Sequence, residues 1–217
     1  MSTFGVSFKN NKEQQELVRL MAEQDKPIVI CVGDAGTGKT MAALAGALDL
    51  QSDKKYRKII YGRNPVPLGR DMGYMPGGLE EKYNPYLGGM YDNLESIARL
   101  SAFKPNPNDL AQRIEVLPIA YLRGRSFTDT VLIIDEAQNL DITCLKTILT
   151  RMGAYSKVVL LGSMNQIDEP AQRKKAACDF QQAIDKIKDL PYVGYVELTK
   201  SMRSPWCAEI DALLSEV

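Results

Sequence analysis

The chain has 217 residues, a length that suits one large α/β domain, and its 27 lysines and arginines balance 27 aspartates and glutamates. No overall basic field announces nucleic acid, although a local arginine cluster can still hold a polymer. Histidine is absent, which excludes Ser-His-Asp and Cys-His nucleophiles, H-E-x-x-H zinc chemistry and His-ligated deaminase sites, and leaves carboxylates, lysines, arginines and magnesium to carry any reaction.

A polar N-terminal arm leads into a helical pattern over residues 13–23, with Leu17, Val18, Leu20 and Met21 on its apolar side. The apolar run 27–32 reads as a buried strand. It is followed by Gly33-Asp34-Ala35-Gly36-Thr37-Gly38-Lys39-Thr40 and then by the helix former 41–48, which begins at Met41. G-x-x-x-x-G-K-[ST] between a strand and a helix is a phosphate cradle. Its glycines let successive N–H groups point inward, the helix N-terminus adds its positive end, Lys39 reaches the β- and γ-phosphates, and Thr40 offers a hydroxyl to magnesium. Residues 33–41 are therefore expected to bind a nucleoside triphosphate.

Residues 57–61 read as a short strand ending at Gly62-Arg63-Asn64-Pro65. Across 64–90, prolines and glycines are too dense for a regular element, and the segment is too aromatic for plain disorder; a long ordered loop of this kind is usually functional. Beyond it the pattern predicts a helix over 85–100 and strands over 113–117 and 131–134. A helix over 141–152 is stopped by Gly153, and a strand over 157–161, a helix over 180–190 and a strand near 195–198 follow. Ser204 can cap a last helix with Pro205 at its first position and Cys207, Ile210, Leu213 and Leu214 as its stripe. The alternation implies an α/β domain, a mostly parallel sheet with helices on both faces and its site at the strand C-termini. The whole of 1–217 reads as one domain: arm and lead-in helix over 1–26, nucleotide core over 27–203, terminal helix over 204–217. Four dispersed cysteines without a C-x-x-C pair, and no signal peptide or membrane-spanning apolar run, point to the cytoplasm, the host's if the source is viral.

A second chemical constellation ends the strand over 131–134: Asp135 would hold magnesium and Glu136 would polarise the attacking water. A third strand end, Leu161-Gly162-Ser163-Met164-Asn165-Gln166, offers Gln166 to sense the γ-phosphate or orient water. Arg203, just after the last strand, could serve as an arginine finger. Arg63, Arg123 and Arg125, with Tyr74 and Tyr121, suit phosphodiesters and stacked bases, or else carboxylates and a neighbouring subunit.

Together these motifs resemble the PhoH family, P-loop ATPases related to the RecA-like core of superfamily 1 helicases. The resemblance runs from about Lys12 to Pro205. It includes Met75-Pro76-Gly77-Gly78-Leu79-Glu80-Glu81-Lys82 with Pro85-Tyr86-Leu87, and Ile119-Ala120-Tyr121-Leu122-Arg123-Gly124-Arg125. It implies a single RecA-like P-loop domain that uses ATP and Mg2+, with Gln14 on the adenine and Gln15 as rival. It also implies service on RNA or single-stranded DNA as an ATPase and helicase. Helicase motors close two lobes over the nucleotide; with one P-loop and one acidic strand here, the second wall is expected from another copy, making a homo-oligomeric ring, a hexamer as the candidate size. The chain departs from the family pattern with Asp34 where proline is usual, Asn64 inserted between Arg63 and Pro65, and Ser163 where an aspartate is usual. Ser163 favours an alternative, a nucleotide-gated assembly protein with slow turnover. A type II thymidine kinase shares the P-loop and the Asp-Glu-Ala-Gln strand end but carries a C-x-x-C zinc site that is missing here.

Overall fold

Short runs of uninterrupted apolar residues can be satisfied only by strands buried on both faces, and the sheet is built from such runs. A computed structural model describes residues 2–63, 84–122, 124–163, 171–202, 204, 206–207 and 210. Among these, six strands form one all-parallel sheet: β3 (Ile28–Gly33), β4 (Lys58–Arg63), β5 (Ile114–Val116), β6 (Thr130–Asp135), β7 (Lys157–Gly162) and β8 (Val193–Leu198), in the order β5-β4-β6-β7-β3-β8. The phosphate-loop strand β3 and the acidic strand β6 are not neighbours; β7 lies between them, pairing Val159 with both Val29 and Ile133. This is the RecA-like arrangement.

Side-chain alternation assigns the two faces. Val29, Cys31, Ile59, Tyr61, Val131, Ile133, Val159 and Leu161 point into a cluster shared with α1 (Lys12–Ala22), α2 (Lys39–Ser52), α3 (Gly88–Leu100) and α4 (Pro107–Gln112). Their neighbours Ile30, Val32, Ile60, Leu132, Ile134, Val158 and Leu160 point into a second cluster, closed by α5 (Ile142–Leu149) and α6 (Ala171–Ile187). Burying each such side chain contributes about 1.5–3 kcal/mol, so the strands that carry the site are also the stable centre of the fold. In α2 the small residues Ala42, Ala43, Ala45, Gly46 and Ala47 are all buried. A Cβ at Gly46 would lie 3.1 Å from the Met21 thioether, so glycine there lets α1 pack closely on α2.

The N-terminal arm is not merely polar. Strands β1 (Ser2–Thr3) and β2 (Val6–Ser7) form an antiparallel hairpin through Phe4 and Gly5, both at positive φ. Phe4, Val6 and Phe8 are buried, and the Phe4 amide donates to Asp49 Oδ1 of α2 at 2.8 Å. Residues 85–100 divide into a 3-10 turn at Asn84–Leu87 followed by α3. Helix α6 starts at Ala171, well before residue 180, where the apolar period begins with Phe180. Trp206, Cys207 and Ile210 are helical; Ile210, placed in an apolar stripe by its spacing, is exposed, and Leu213 and Leu214 lie outside the described residues. No helix among the described residues is long and apolar enough to cross a membrane. Cys31, Cys144, Cys178 and Cys207 form no disulfide among the described residues.

Candidate functional site

The chain leaves β3 at Gly33 and turns through Gly36 (φ 78°) and Gly38 (φ 81°), left-handed conformations that favour glycine, before entering α2. No side chain caps α2 and its first turn holds no acidic residue, so its N-terminal amides are left for an anion. The loop is braced from behind. Gln14 is buried in α1, and its amide donates to the Thr37 carbonyl at 2.9 Å. A Cβ at Gly38 would strike that same amide group. Asn11 caps α1, accepting from the Glu13 and Gln14 amides at 3.1 Å each. Gln15, the rival for a base contact, donates to the Phe8 carbonyl at 2.8 Å instead. Met41 is partly buried against the core behind the cradle.

Lys39 folds back over the loop, its Nζ donating to the carbonyls of Gly33 at 2.6 Å and Asp34 at 2.9 Å. Burial pulls its pKa below that of an ordinary lysine, an effect countered by the negative groups around it, Asp135 and Glu136 among them. Ala35, Gly36, Gly38, Lys39 and Thr40 line a cavity of about 330 Å³ together with Arg63, Asp135 and Glu136.

Asp135 ends β6, nearly buried. Its Oδ2 accepts from the Thr40 hydroxyl at 3.2 Å and from the Tyr61 hydroxyl at 2.5 Å, and its Oδ1 accepts from the Glu136 amide at 3.0 Å. A hydroxyl and a carboxylate side by side form the hard oxygen pair that magnesium takes alongside phosphate oxygens and water, so these residues fit the ion. Glu136 has φ 54°, unusual for a residue with a side chain, and this turn swings its carboxylate off the strand axis into the cavity. There Oε2 accepts from Gln138 Nε2 at 2.7 Å, and Oε1 lies 3.6 Å from Arg63 Nη2. Gln138 is buried, and its Oε1 accepts from the Ser163 amide at 3.1 Å, tying the Glu136 carboxylate to the tip of β7. The Ser163 hydroxyl is buried with no hydrogen-bond partner among the described residues.

The segment after β8 is strapped across the loop. Glu13 Oε2 accepts from the amides of Thr199 at 2.8 Å and Lys200 at 3.1 Å, Glu13 Oε1 accepts from the Thr199 hydroxyl at 2.6 Å, and the Met202 amide donates to the Gly36 carbonyl at 2.8 Å. The Thr199 hydroxyl, then the two amides, hold the Glu13 carboxyl below its usual pKa. A depressed carboxyl pKa contributes stability above the unfolded value and loses it as the pH falls through the folded one. Glu13→Gln is therefore expected to lower the neutral-pH Tm, by about 2–4 °C for each kcal/mol lost, and the gap to wild type should close in melts below about pH 4.

The structure thus brings Lys39, Thr40, Asp135, Glu136 and Arg63 to one cavity. Arg125, a nucleic-acid or interface candidate, pairs with Glu115 at 2.8 Å and sits over the Phe127 ring. Tyr121 is exposed on a 3-10 turn. Gln166, Arg203, Tyr74 and Arg123 lie outside the described residues. Two contributors escaped the sequence reading. Tyr61 offered a signal, a phenol in an otherwise apolar central strand, whose hydroxyl needs a partner when buried. Gln138 offered only its place two residues after Glu136.

The comparisons with known proteins agree with this geometry. The PhoH family profile, described as PhoH-like protein, matches residues 7–215. Protein PhoH2 of Bacillus subtilis (strain 168) is 40% identical over 199 residues, covering 89% of this chain and 44% of its own length. A PhoH-like protein of Mycobacterium bovis is 39% identical over 178 residues, covering 79% of this chain and 47% of its own. The chain therefore spans about half the length of these curated relatives. Among solved structures, the large terminase from a thermophilic bacteriophage shares the fold, with a TM-score of 0.52 at 11% identity over 93% of this chain and 49% of that one. With a family match over nearly its whole length, and a RecA-like P-loop core beneath it, this chain belongs to the PhoH-like protein family.

Proposed function

We propose that this chain hydrolyses ATP to ADP and phosphate as a homo-oligomer and couples that reaction to RNA or single-stranded DNA. The observation that carries the reading is the convergence on one cavity of Lys39 and Thr40 with Asp135 and Glu136, groups about a hundred positions apart in sequence. The loop amides and the α2 N-terminus hold the triphosphate, and Lys39 exchanges two backbone carbonyls for its β- and γ-oxygens. Thr40 and Asp135 would hold magnesium, which supplies neutralisation of the phosphate charge. Glu136 accepts a proton from water as the water oxygen bonds to the γ-phosphorus and the bond from that phosphorus to the ADP oxygen breaks. Phosphate and ADP remain, and Glu136 returns the proton to solvent.

Gln166 orients the water in this reading, and Arg203 acts across or near a subunit interface, because one loop and one acidic strand make half of a closed nucleotide site. The ring is expected to be closed, with six copies as its candidate size, and to work in the cytoplasm. Gln14, whose amide holds the Thr37 carbonyl of the loop, is the candidate for a base contact that would select ATP. Tyr121 and Arg125, with Tyr74 and Arg123, are the candidates for polymer contact.

Steady-state ATP hydrolysis across protein concentrations, with single-stranded RNA, single-stranded DNA or neither, tests the reading. Turnover per subunit should rise with concentration and with one of the polymers. Monomers that hydrolyse at an undiminished rate on dilution would remove the ring. Tight ATP binding with negligible turnover throughout would instead identify a nucleotide-gated assembly protein, the alternative favoured by Ser163 standing where the family usually has a carboxylate. Phosphate transfer to thymidine would point to the kinase.

A further inference from the structure

We propose that Arg63 is a ligand of the γ-phosphate, parked on Glu136 until a triphosphate arrives. The inference rests on the ATP reading above and adds to it a cation that reads the third phosphate from within the same subunit. Parallel pairing of β4 with β6 sets Arg63 beside Asp135, so the arginine leaves the sheet at the same level as the acidic pair. Its side chain lines the same cavity as Lys39 and Thr40 and lies beside Glu136, the group that would act at the γ-phosphate. Nη1 donates to the Tyr86 carbonyl at 3.3 Å.

The pair with Glu136 is suited to exchange. At 3.6 Å it is an ion pair without a hydrogen bond, and both side chains are about one-third exposed, a setting in which such pairs contribute little. A γ-phosphoryl group offers oxygens that a guanidinium can grip bidentately, a better partner than a distant carboxylate already shared with Gln138. When Arg63 moves to phosphate, Glu136 keeps the Gln138 amide that fixes its direction and loses the cation that competes with the attacking water. ADP presents no γ-group, so Arg63 returns to Glu136 after phosphate leaves. The same exchange thus couples recognition of the third phosphate to release of the carboxylate that acts on it.

The experiment is isothermal titration of the full chain with β,γ-imido-ATP and, separately, with ADP, each with magnesium, for wild type, Arg63→Ala, Arg63→Lys and Glu136→Gln. Arg63→Ala should weaken the triphosphate analogue about tenfold or more and ADP less than about twofold; Arg63→Lys should recover only part of the loss. Glu136→Gln, which neutralises the parking partner, should bind the analogue more tightly than wild type. Equal losses for both nucleotides, or an unchanged triphosphate affinity, overturn the proposal. Wild-type protein that binds neither nucleotide overturns the ATP reading itself, and that result is visible before any variant is compared. Thermal melts confirm folding of each variant, and Arg63→Lys carries the comparison should the alanine variant fail to fold.

Discussion

Lys39→Ala is expected to remove ATP hydrolysis, lowering turnover by about 10²–10³-fold and weakening triphosphate binding in the same protein. The lysine is the one cation in the phosphate loop itself, and its ammonium bridges the carbonyls of Gly33 and Asp34. Its charge is costly to keep in a buried position, as its lowered pKa shows, and an arriving polyphosphate relieves that cost by supplying negative charge at short range. Alanine loses both the contact to the developing charge in the transition state and the hydrogen bonds from Lys39 to the Gly33 and Asp34 carbonyls. The check is single-turnover hydrolysis and equilibrium binding side by side, because loss of binding alone would show as a change repaired by saturating ATP. A variant that turns over at the wild-type rate when saturated would show that Lys39 serves ground-state binding only.

Glu136→Gln should behave differently. Glutamine has nearly the same shape and can still meet Gln138, so the cavity should be preserved and the nucleotide held at least as tightly, but it cannot take a proton from water. General-base removal lowers rates by about 10²–10⁴-fold. The expected result is a protein that retains ATP through a gel-filtration column and releases almost no phosphate. Retained turnover within about threefold of wild type would move the base elsewhere, with Asp135 excluded by its commitment to Thr40 and Tyr61.

How much of this was legible in the residues depends on the length scale of each signal. The phosphate loop and the Asp135-Glu136 pair were readable because their chemistry is local: a glycine turn that must open a helix, and two carboxylates that must end a buried strand. The parallel sheet followed from apolar runs too short for helices. The hairpin at Phe4 and Val6 was not read, because the alternation of Phe4, Val6 and Phe8 is only five residues long and is broken by Gly5, and Phe4 is held by contacts to Asp49, Ser101 and Phe103 far along the chain. Lys157 is the sharper case. At the first position of β7 it reads as a solvent-facing charge, yet it is 1% exposed, with its ammonium on the carbonyls of Glu23 and Lys26 where α1 ends, and burial lowers its pKa to about 8. The arginines' partners were left open for a related reason. Sequence could place Arg63 and Arg125 near strand ends, but which carboxylate each would meet is decided by sheet register and by the 3-10 turn, and neither is encoded near the arginine itself.

The bond from the Met202 amide to the Gly36 carbonyl has a mechanical meaning. Gly36 is one of the two left-handed glycines of the loop, and Met202 lies in the segment that follows β8. In the ATP reading proposed above, a shift of the loop around phosphate would pass through this bond to the segment that leaves the sheet, so that the nucleotide and the outgoing chain share one hydrogen bond as their link.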